Sequence, residues 1–410
     1  MSRMIAGIDV HKKMLMVVVA DASLDLQDQE FSGHRFGTAH SELIRLADWL
    51  TQQGVKDVVM ESTAQYWKPV WLALEPSFNL HLAQAQSNRA PKGRKTDFRD
   101  TERLVRRFIA GELMLSFVPD AAQREVRMLA RRRVQLVRNR VSLKNQLESL
   151  LEECSIKLSS IISDLTGATG LRILGAIAAG KTSPTELAAL GDERLKCTKE
   201  ELADALRGRT TANHQKVLEM ILEDFKLLDA HIEKTTELIA ATIREHQAAV
   251  MRLCQIPGIR VVAAQQIIAE IGATAKAFES AGQLASWAGV CPGQQESAGD
   301  NRSSRCAKGN RFLRSLLCQC AQAAVKTKES FYQATFQRLL PRLGFAKAIW
   351  AIAHKLLRVI WNVLHDNQTY KERGATTSPQ ALKRRLQRLR QECRKLGYDV
   401  QLVPNTEVPA

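Results

Sequence analysis

The spacing of apolar positions changes several times along the chain, and each change marks an element. Residues 4–9 and 15–21 are short apolar, β-branched runs, which predicts two strands, the first ending in Asp9. A third strand is predicted over 24–31. Across 41–52, Leu43, Ile44, Leu46, Ala47 and Leu50 fall at helical spacing. Residues 55–61 form another strand, ending in Glu61; 66–74 is helical and 79–85 is a fifth strand. Thr96 can cap a following helix through its hydroxyl. Residues three apart share a helix face, so Asp97 and Asp100 point the same way from its first turn. The resulting order is β-β-β-α-β-α-β-α.

The second half reads as helix almost throughout. From Asp120 to about Cys154 an interrupted apolar stripe (Val126, Leu129, Leu136, Leu143, Leu147, Leu151) predicts one long helix. Residues 155–185 read as helical turns and loops, and 184–246 as continuously helical. A second long helix over 211–246 would run antiparallel to the first as a coiled-coil arm. Around Ile256-Pro-Gly-Ile259 the pattern fits either a helix-hairpin-helix or an ordinary Pro-Gly helix connection, since Arg260 stands where a second glycine is common. Helices follow over 313–326 and 346–364, with Trp350 and Trp361 as core residues. After a polar linker, 381–396 reads as a short coiled-coil seam or a basic amphipathic helix that docks on a partner.

Charge adds a partner to this outline. Lysine and arginine number 59 against 43 acids, a net charge of +16, which points to a polyanion, nucleic acid before membrane. No apolar run is long enough to span a bilayer, and Met1-Ser-Arg-Met-Ile5, with no long apolar run after Arg3, is not expected to act as a signal peptide. The eight cysteines lack paired C-x-x-C spacing, which argues against zinc and for a reducing, cytoplasmic setting. Arg131, Arg132 and their neighbours on the first long helix suit phosphate contact or a partner helix; without aromatic residues a base-stacking platform is not expected. Arg94 and Lys95 lie in a basic segment just before Thr96.

The element order resembles a ribonuclease-H-like fold, whose first and fourth strands are neighbours carrying one acid each. Asp9, Glu61, Asp97 and Asp100 would then gather at one end of the sheet, enough for two Mg²⁺ ions about 4 Å apart. The structural alternative for Asp97 and Asp100 is a capping carboxylate beside a solvated one. Further on, Ser297 lies in a Gly-flanked segment with Arg302, Arg305, Lys308, Arg311 and Arg314 after it, guanidinium and ammonium groups suited to phosphate oxygens. Ser303 and Ser304 compete with it.

Seven segments in order resemble the DEDD transposases of the IS110 insertion-sequence family. They are Gly7-Ile-Asp-Val-His11, Met60-Glu-Ser62, Lys95-Thr-Asp-Phe-Arg-Asp100, Ile256-Pro-Gly-Ile259, Trp287-Ala-Gly-Val-Cys-Pro292, Glu296-Ser-Ala-Gly299 and Lys308-Gly-Asn-Arg-Phe-Leu-Arg314. Thr101 stands where that pattern has a small apolar residue. The resemblance implies a RuvC-like metal domain over 1–119 with Asp9, Glu61, Asp97 and Asp100 as Mg²⁺ ligands. It implies a helical coiled-coil region over 120–247, a mainly helical transposase domain over 248–370 with Ser297 as nucleophile, and a basic tail over 371–410. The implied reaction is DNA strand exchange through a 5′-phosphoserine link. Its implied partners are donor and target duplex DNA, a structured bridge RNA that selects both by base pairing, and further copies of the chain in a dimer or tetramer, with the two sites meeting across subunits. A RuvC-like nuclease cutting branched DNA by water attack is the alternative chemistry, and a non-catalytic nucleic-acid scaffold is a third.

Overall fold

The computed structural model describes residues 3–25, 29–62, 64–85, 87–88, 96–293, 295–297, 300–303, 305–374, 379–395 and 397–399. Two compact units emerge, Met1–Pro119 and Asp120–Ala410.

The first unit contains β1 (Met4–Val10), β2 (Met14–Asp21), β3 (Ser32–Gly37), α1 (His40–Gln52), β4 (Val55–Ser62), α2 (Trp67–Leu74), β5 (Asn79–Ala83), α3 (Asp97–Ile109) and β6 (Leu115–Ser116). They build a six-stranded sheet ordered β3-β2-β1-β4-β5-β6. Strands β1, β4 and β5 are parallel; β2 runs against both β1 and β3, and β6 against β5. Alternation along the strands sorts side chains between two faces. Ala6, Ile8 and Val10, with Val17, Val19, Val58 and Met60, pack against Leu43, Leu46 and Leu50 of α1 and Val70, Trp71 and Leu74 of α2. The other face is covered by α3: Ile5 and Ala20 meet Val105, and Val59 and Ala83 meet Leu104.

The third strand lies later than its expected position over 24–31. The Asp21 carboxylate accepts from the backbone N–H and hydroxyl of Ser23 and ends β2, and the chain pairs again only from Ser32. At the sheet edge, β3 has Phe36 as its one buried residue, so hydrophobic periodicity could not locate it. The two-residue β6 was likewise invisible to pattern.

The second unit contains α4 (Ala121–Glu153), α5 (Leu158–Ile161), α6 (Ala168–Ala178), α7 (Pro184–Ala188), α8 (Lys199–Ala205), α9 (Ala212–Thr242), α10 (Gln247–Cys254), α11 (Val261–Ile271), α12 (Ala281–Ala288), β7 (Gln295–Ser297), β8 (Asp300–Ser303), α13 (Arg311–Ala324), α14 (Phe331–His365) and α15 (Pro379–Lys395). Helices α4 and α9 are antiparallel, as the pairs Arg133–Thr236, Arg140–Asp229 and His214–Glu153 require. At 1.5 Å per residue the arm is about 50 Å long. Its far end is not a bare coiled coil. Leu143, Leu147 and Leu151 of α4 and Leu218, Leu222 and Phe225 of α9 share a core with Ile173, Leu174 and Ile177 of α6 and Leu202 of α8. Residues 155–185 are thus more helical than their small-residue composition implied. The stretch 184–246 is broken rather than continuous. At one break, a Cβ on Gly208 would lie 2.4 Å from the Cys154 carbonyl, so a side chain there would drive the segment off α4. No helix among the described residues is long and apolar enough to cross a membrane, and the eight cysteines are free.

Candidate active site

Strands β1 and β4 are in register with Asp9 opposite Glu61. Both acids fall on the sheet face covered by α3, because Ile5 and Val59, at even spacing before them, already pack there. Helix α3 starts at the same end. Thr96 is extended and accepts the Arg99 N–H at 3.4 Å, which sets the first turn and places Asp97 and Asp100 beside the strand ends. Asp100, Thr101, Leu104 and Val105 form the buried stripe of α3. Thr101 is fully buried, and its hydroxyl donates to the Asp97 carbonyl at 2.7 Å, so the helix itself satisfies the polar group. Gly7 is the other half of this contact: a Cβ there would sit 2.5 Å from Val105 Cγ2. Phe98 closes over Gly33 of β3 in the same manner, its ring 2.4 Å from where a Cβ would stand.

The four acids form one electrostatic cluster. Burial pushes the Asp9 carboxyl above the usual carboxylate range; His11 opposes this, and the charges of Asp97 and Asp100 add to it. Burial also pushes Glu61 up, with Asp9 and Asp100 adding to the rise while an Asn88 hydrogen bond and Arg103 oppose it. Four residues beyond the acids complete the site. His11 Nε2 lies 3.2 Å from Asp9 Oδ2 and 3.9 Å from Asp97 Oδ1. Arg103 Nη2 donates to Asp100 Oδ1 at 2.6 Å. Asn88, only 5% exposed, donates Nδ2 to Glu61 Oε2 at 2.5 Å. Arg107 donates to the Ser87 carbonyl at 2.5 Å and so fixes the turn that delivers Asn88. His11 was within reach of sequence reasoning, two residues from Asp9; Asn88 was not, since nothing periodic marks its turn.

Ser297 lies in β7, its Cα paired with Asp300 at the turn end of the β7–β8 hairpin. Ser303 pairs with Gln295 at the other end. Glycines clamp the hairpin base. Gly289 ends α12 in the left-handed region, and a Cβ on it would lie 2.7 Å from the Ala307 carbonyl oxygen and the Gly309 nitrogen. A Cβ on Gly309 would lie 2.3 Å from Ala288 C, and one on Gly293 2.3 Å from the Arg305 carbonyl. Two of the sequence motifs are thereby explained as facing backbones that only glycine allows so close. Gly258 in the α10–α11 connection packs in the same way against the Cys320 carbonyl of α13, 2.3 Å from its would-be Cβ.

The basic residues divide into two groups. Arg131 makes a two-pronged pair with Glu270, both distances 2.8 Å, and Arg127 donates to the Glu270 carbonyl. Arg133 holds Thr236 and Arg140 holds Asp229. These side chains tie α4 to α9 and α11, a use that their helical stripe could not reveal. Arg314 lies over the Trp350 ring and donates to the Ala307 carbonyl at 3.2 Å. Arg132, Arg305, Lys308 and Arg311 are exposed. Arg94, Lys95 and Ser304 lie outside the described residues, and for Ser297 and Arg302 the backbone alone is described.

A family model described as a transposase, the DEDD transposase of IS110 elements, matches residues 6–156. A second, for transposases of the IS116/IS110/IS902 family, matches residues 250–335. A probable family 20 transposase of Pseudomonas aeruginosa is 28% identical over 365 residues, 85% of this chain and 97% of the relative. The transposase for insertion sequence element IS1111A of Coxiella burnetii is 25% identical over 289 residues, 68% of this chain and 69% of its own. With one model covering the acid cluster and the other the serine hairpin, the chain belongs to the IS110 family of insertion-sequence transposases.

Proposed function

We propose that this transposase exchanges DNA strands through a covalent link to Ser297, with a divalent cation, Mg²⁺ in the cell, held by Asp9, Glu61, Asp97 and Asp100 of a RuvC-like domain. The observation that carries the metal half is the pairing of Asp9 with Glu61 on adjacent parallel strands beneath the N-terminus of α3. Two of the four acids already converge as a hard cation requires: one ligand atom each from Asp9, Asp97 and the added His11 lies within 4.8 Å of the others. Burial first, and the neighbouring carboxylates after it, raise the proton affinities of Asp9 and Glu61, and a cation would relieve both penalties on the ionised forms. A bound cation would neutralise charge building on the phosphate oxygens and ease ionisation of an attacking hydroxyl.

For the serine half, the support is the clamped hairpin that presents Ser297 near its turn, with exposed Arg305, Lys308 and Arg311 following. As the Oγ–P bond forms, the P–O3′ bond breaks; the serine proton leaves to solvent and the 3′ oxygen gains one. A 3′ hydroxyl on another strand reverses the step, so the phosphodiester energy is retained. Selection of donor and target duplexes by a bridge RNA, and assembly as a dimer or tetramer, complete the proposal.

A suicide duplex whose cleavage releases a short oligonucleotide tests the reading, with full-length protein, the RNA transcribed from the element and Mg²⁺. The expected result is a protein–DNA adduct whose labelled peptide maps to Ser297, and whose formation is lost in Ser297→Ala but kept in Ser303→Ala. Cleavage without any adduct would establish hydrolysis instead.

Asn88 gives a second expectation. Partners that orient a ligand typically contribute 10- to 100-fold to metal affinity. Asn88→Ala should therefore weaken Mn²⁺ binding about 10- to 100-fold by titration calorimetry, with the circular dichroism spectrum unchanged. Wild-type affinity would show that Glu61 is oriented without it.

A further inference from the structure

We propose that Arg138 of α4 and Arg311 of α13, gathered around the ring of Phe312, grip the phosphodiester backbone of nucleic acid. The proposal rests on the reading of the chain as a strand-exchange enzyme and adds where its substrate is held. Three guanidinium groups surround this one ring: Arg131 at 4.6 Å from its centre, Arg311 at 4.9 Å and Arg138 at 5.8 Å. Arg131 is neutralised by its pair with the buried Glu270 and serves as the fixed side of the cluster. Arg138 and Arg311 are exposed, and among the described residues neither has a carboxylate within 4.0 Å.

Their positions oppose ordinary stabilisation. Arg311 opens α13, where the helix dipole disfavours a cation. The Asn310 side chain already accepts the N–H groups of Phe312 and Leu313, so no anion is needed to cap the helix; the charge itself is what lacks a partner. The local sequence offers no remedy, since no acid occurs between Asn301 and Lys328, and Glu125 is the one acid of α4 before Glu148. Two like charges whose guanidinium carbons are at most about 11 Å apart, on a shared ring, are best relieved by an external polyanion. Because guanidinium groups crowd the ring, the site reads phosphates rather than stacking a base, and its contribution is independent of sequence.

The test uses full-length Arg138→Gln/Arg311→Gln, with Lys196→Gln/Lys199→Gln as a charge-matched control at the other end of the arm. Fluorescence anisotropy follows binding to a labelled 40-base-pair random duplex and, separately, to a labelled RNA hairpin, over a KCl series without divalent cations. Each lost phosphate contact lowers the slope of log affinity against log salt by about 0.9 on duplex DNA, and costs about tenfold at 0.1 M salt. The double variant is expected to lose one to two such contacts in at least one arm, and the arm that loses them identifies the polymer. Equal slopes for variant and wild type in both arms would overturn the site, as would an equal loss in the control. Neither result depends on the serine chemistry, so failure here leaves the adduct experiment standing.

Discussion

Asp9→Asn is expected to lower Mg²⁺-dependent strand cleavage by about 10³-fold or more. Stabilisation of transition-state charge by a held cation is worth several kcal/mol, and about 4 kcal/mol corresponds to 10³ in rate. Asp9 occupies the centre of the cluster: it faces Glu61 across the ladder and feels His11, Asp97 and Asp100. Asparagine keeps the shape of the side chain but removes the charge that a cation requires. The same substitution is expected to stabilise the metal-free protein. Burial raises the folded-state pKa of Asp9, so the folded chain binds that proton more tightly than the unfolded chain. The ionised carboxylate therefore reduces stability at neutral pH, and the penalty disappears as pH falls below the ordinary Asp value of about 3.9. Asp9→Asn should melt later than wild type in EDTA at pH 7, by about 0.5–2 kcal/mol. The gap should close near pH 4, and Mg²⁺ should stabilise the wild type alone. Wild-type cleavage by the variant, or a lower melting temperature in EDTA at neutral pH, would remove Asp9 from the proposed metal site.

The placements on which this expectation rests divide into those that the sequence marks and those that it does not. Asp9 and Glu61 were legible because each ends a short apolar run whose alternation fixes the face it points to. Asp97 and Asp100 were legible because Thr96 marks the helix start. These are local signals, and the fold preserves them. What the sequence does not mark depends on residues far apart in it. Asn88 reaches Glu61 across 27 positions, and Glu270 binds Arg131 across 139. The arginines of α4 are the clearest case. Their helical stripe fits a phosphate-coating face and an internal set of ties equally well, and the outcome turns on Glu270, Asp229 and Thr236 standing opposite Arg131, Arg140 and Arg133. The glycines at 289 and 309 carried a usable signal: a glycine in each of two separate motifs is what two backbones in contact require.

Glu270→Ala is expected to cost the second unit about 3–5 kcal/mol, the usual consequence of breaking a buried ion pair on one side. Glu270 is 3% exposed. It accepts from Arg131 through both oxygens, has Arg127 Nε 3.5 Å away, and receives the Asn310 amide at 2.6 Å. Arg127 is held in an environment that brings its pKa down to about 10, through burial first, with Glu270 acting against the fall. Without Glu270 that desolvated cation keeps the carbonyl oxygens of α11 but loses its counter-charge. Asn310 would lose the partner that fixes it while it caps α13, directly after the Gly309 contact that closes the serine hairpin. Loss of stability and loss of adduct should therefore accompany each other in Glu270→Ala. Urea unfolding followed by tryptophan fluorescence, with Trp287, Trp350 and Trp361 reporting on this unit, should show its transition at least about 1 M earlier. Glu270→Gln keeps the size and one acceptor, so it should fall between wild type and alanine. An unshifted transition in the alanine variant would mean that the cluster contributes no net stability and that α4, α11 and α13 are joined by apolar packing alone.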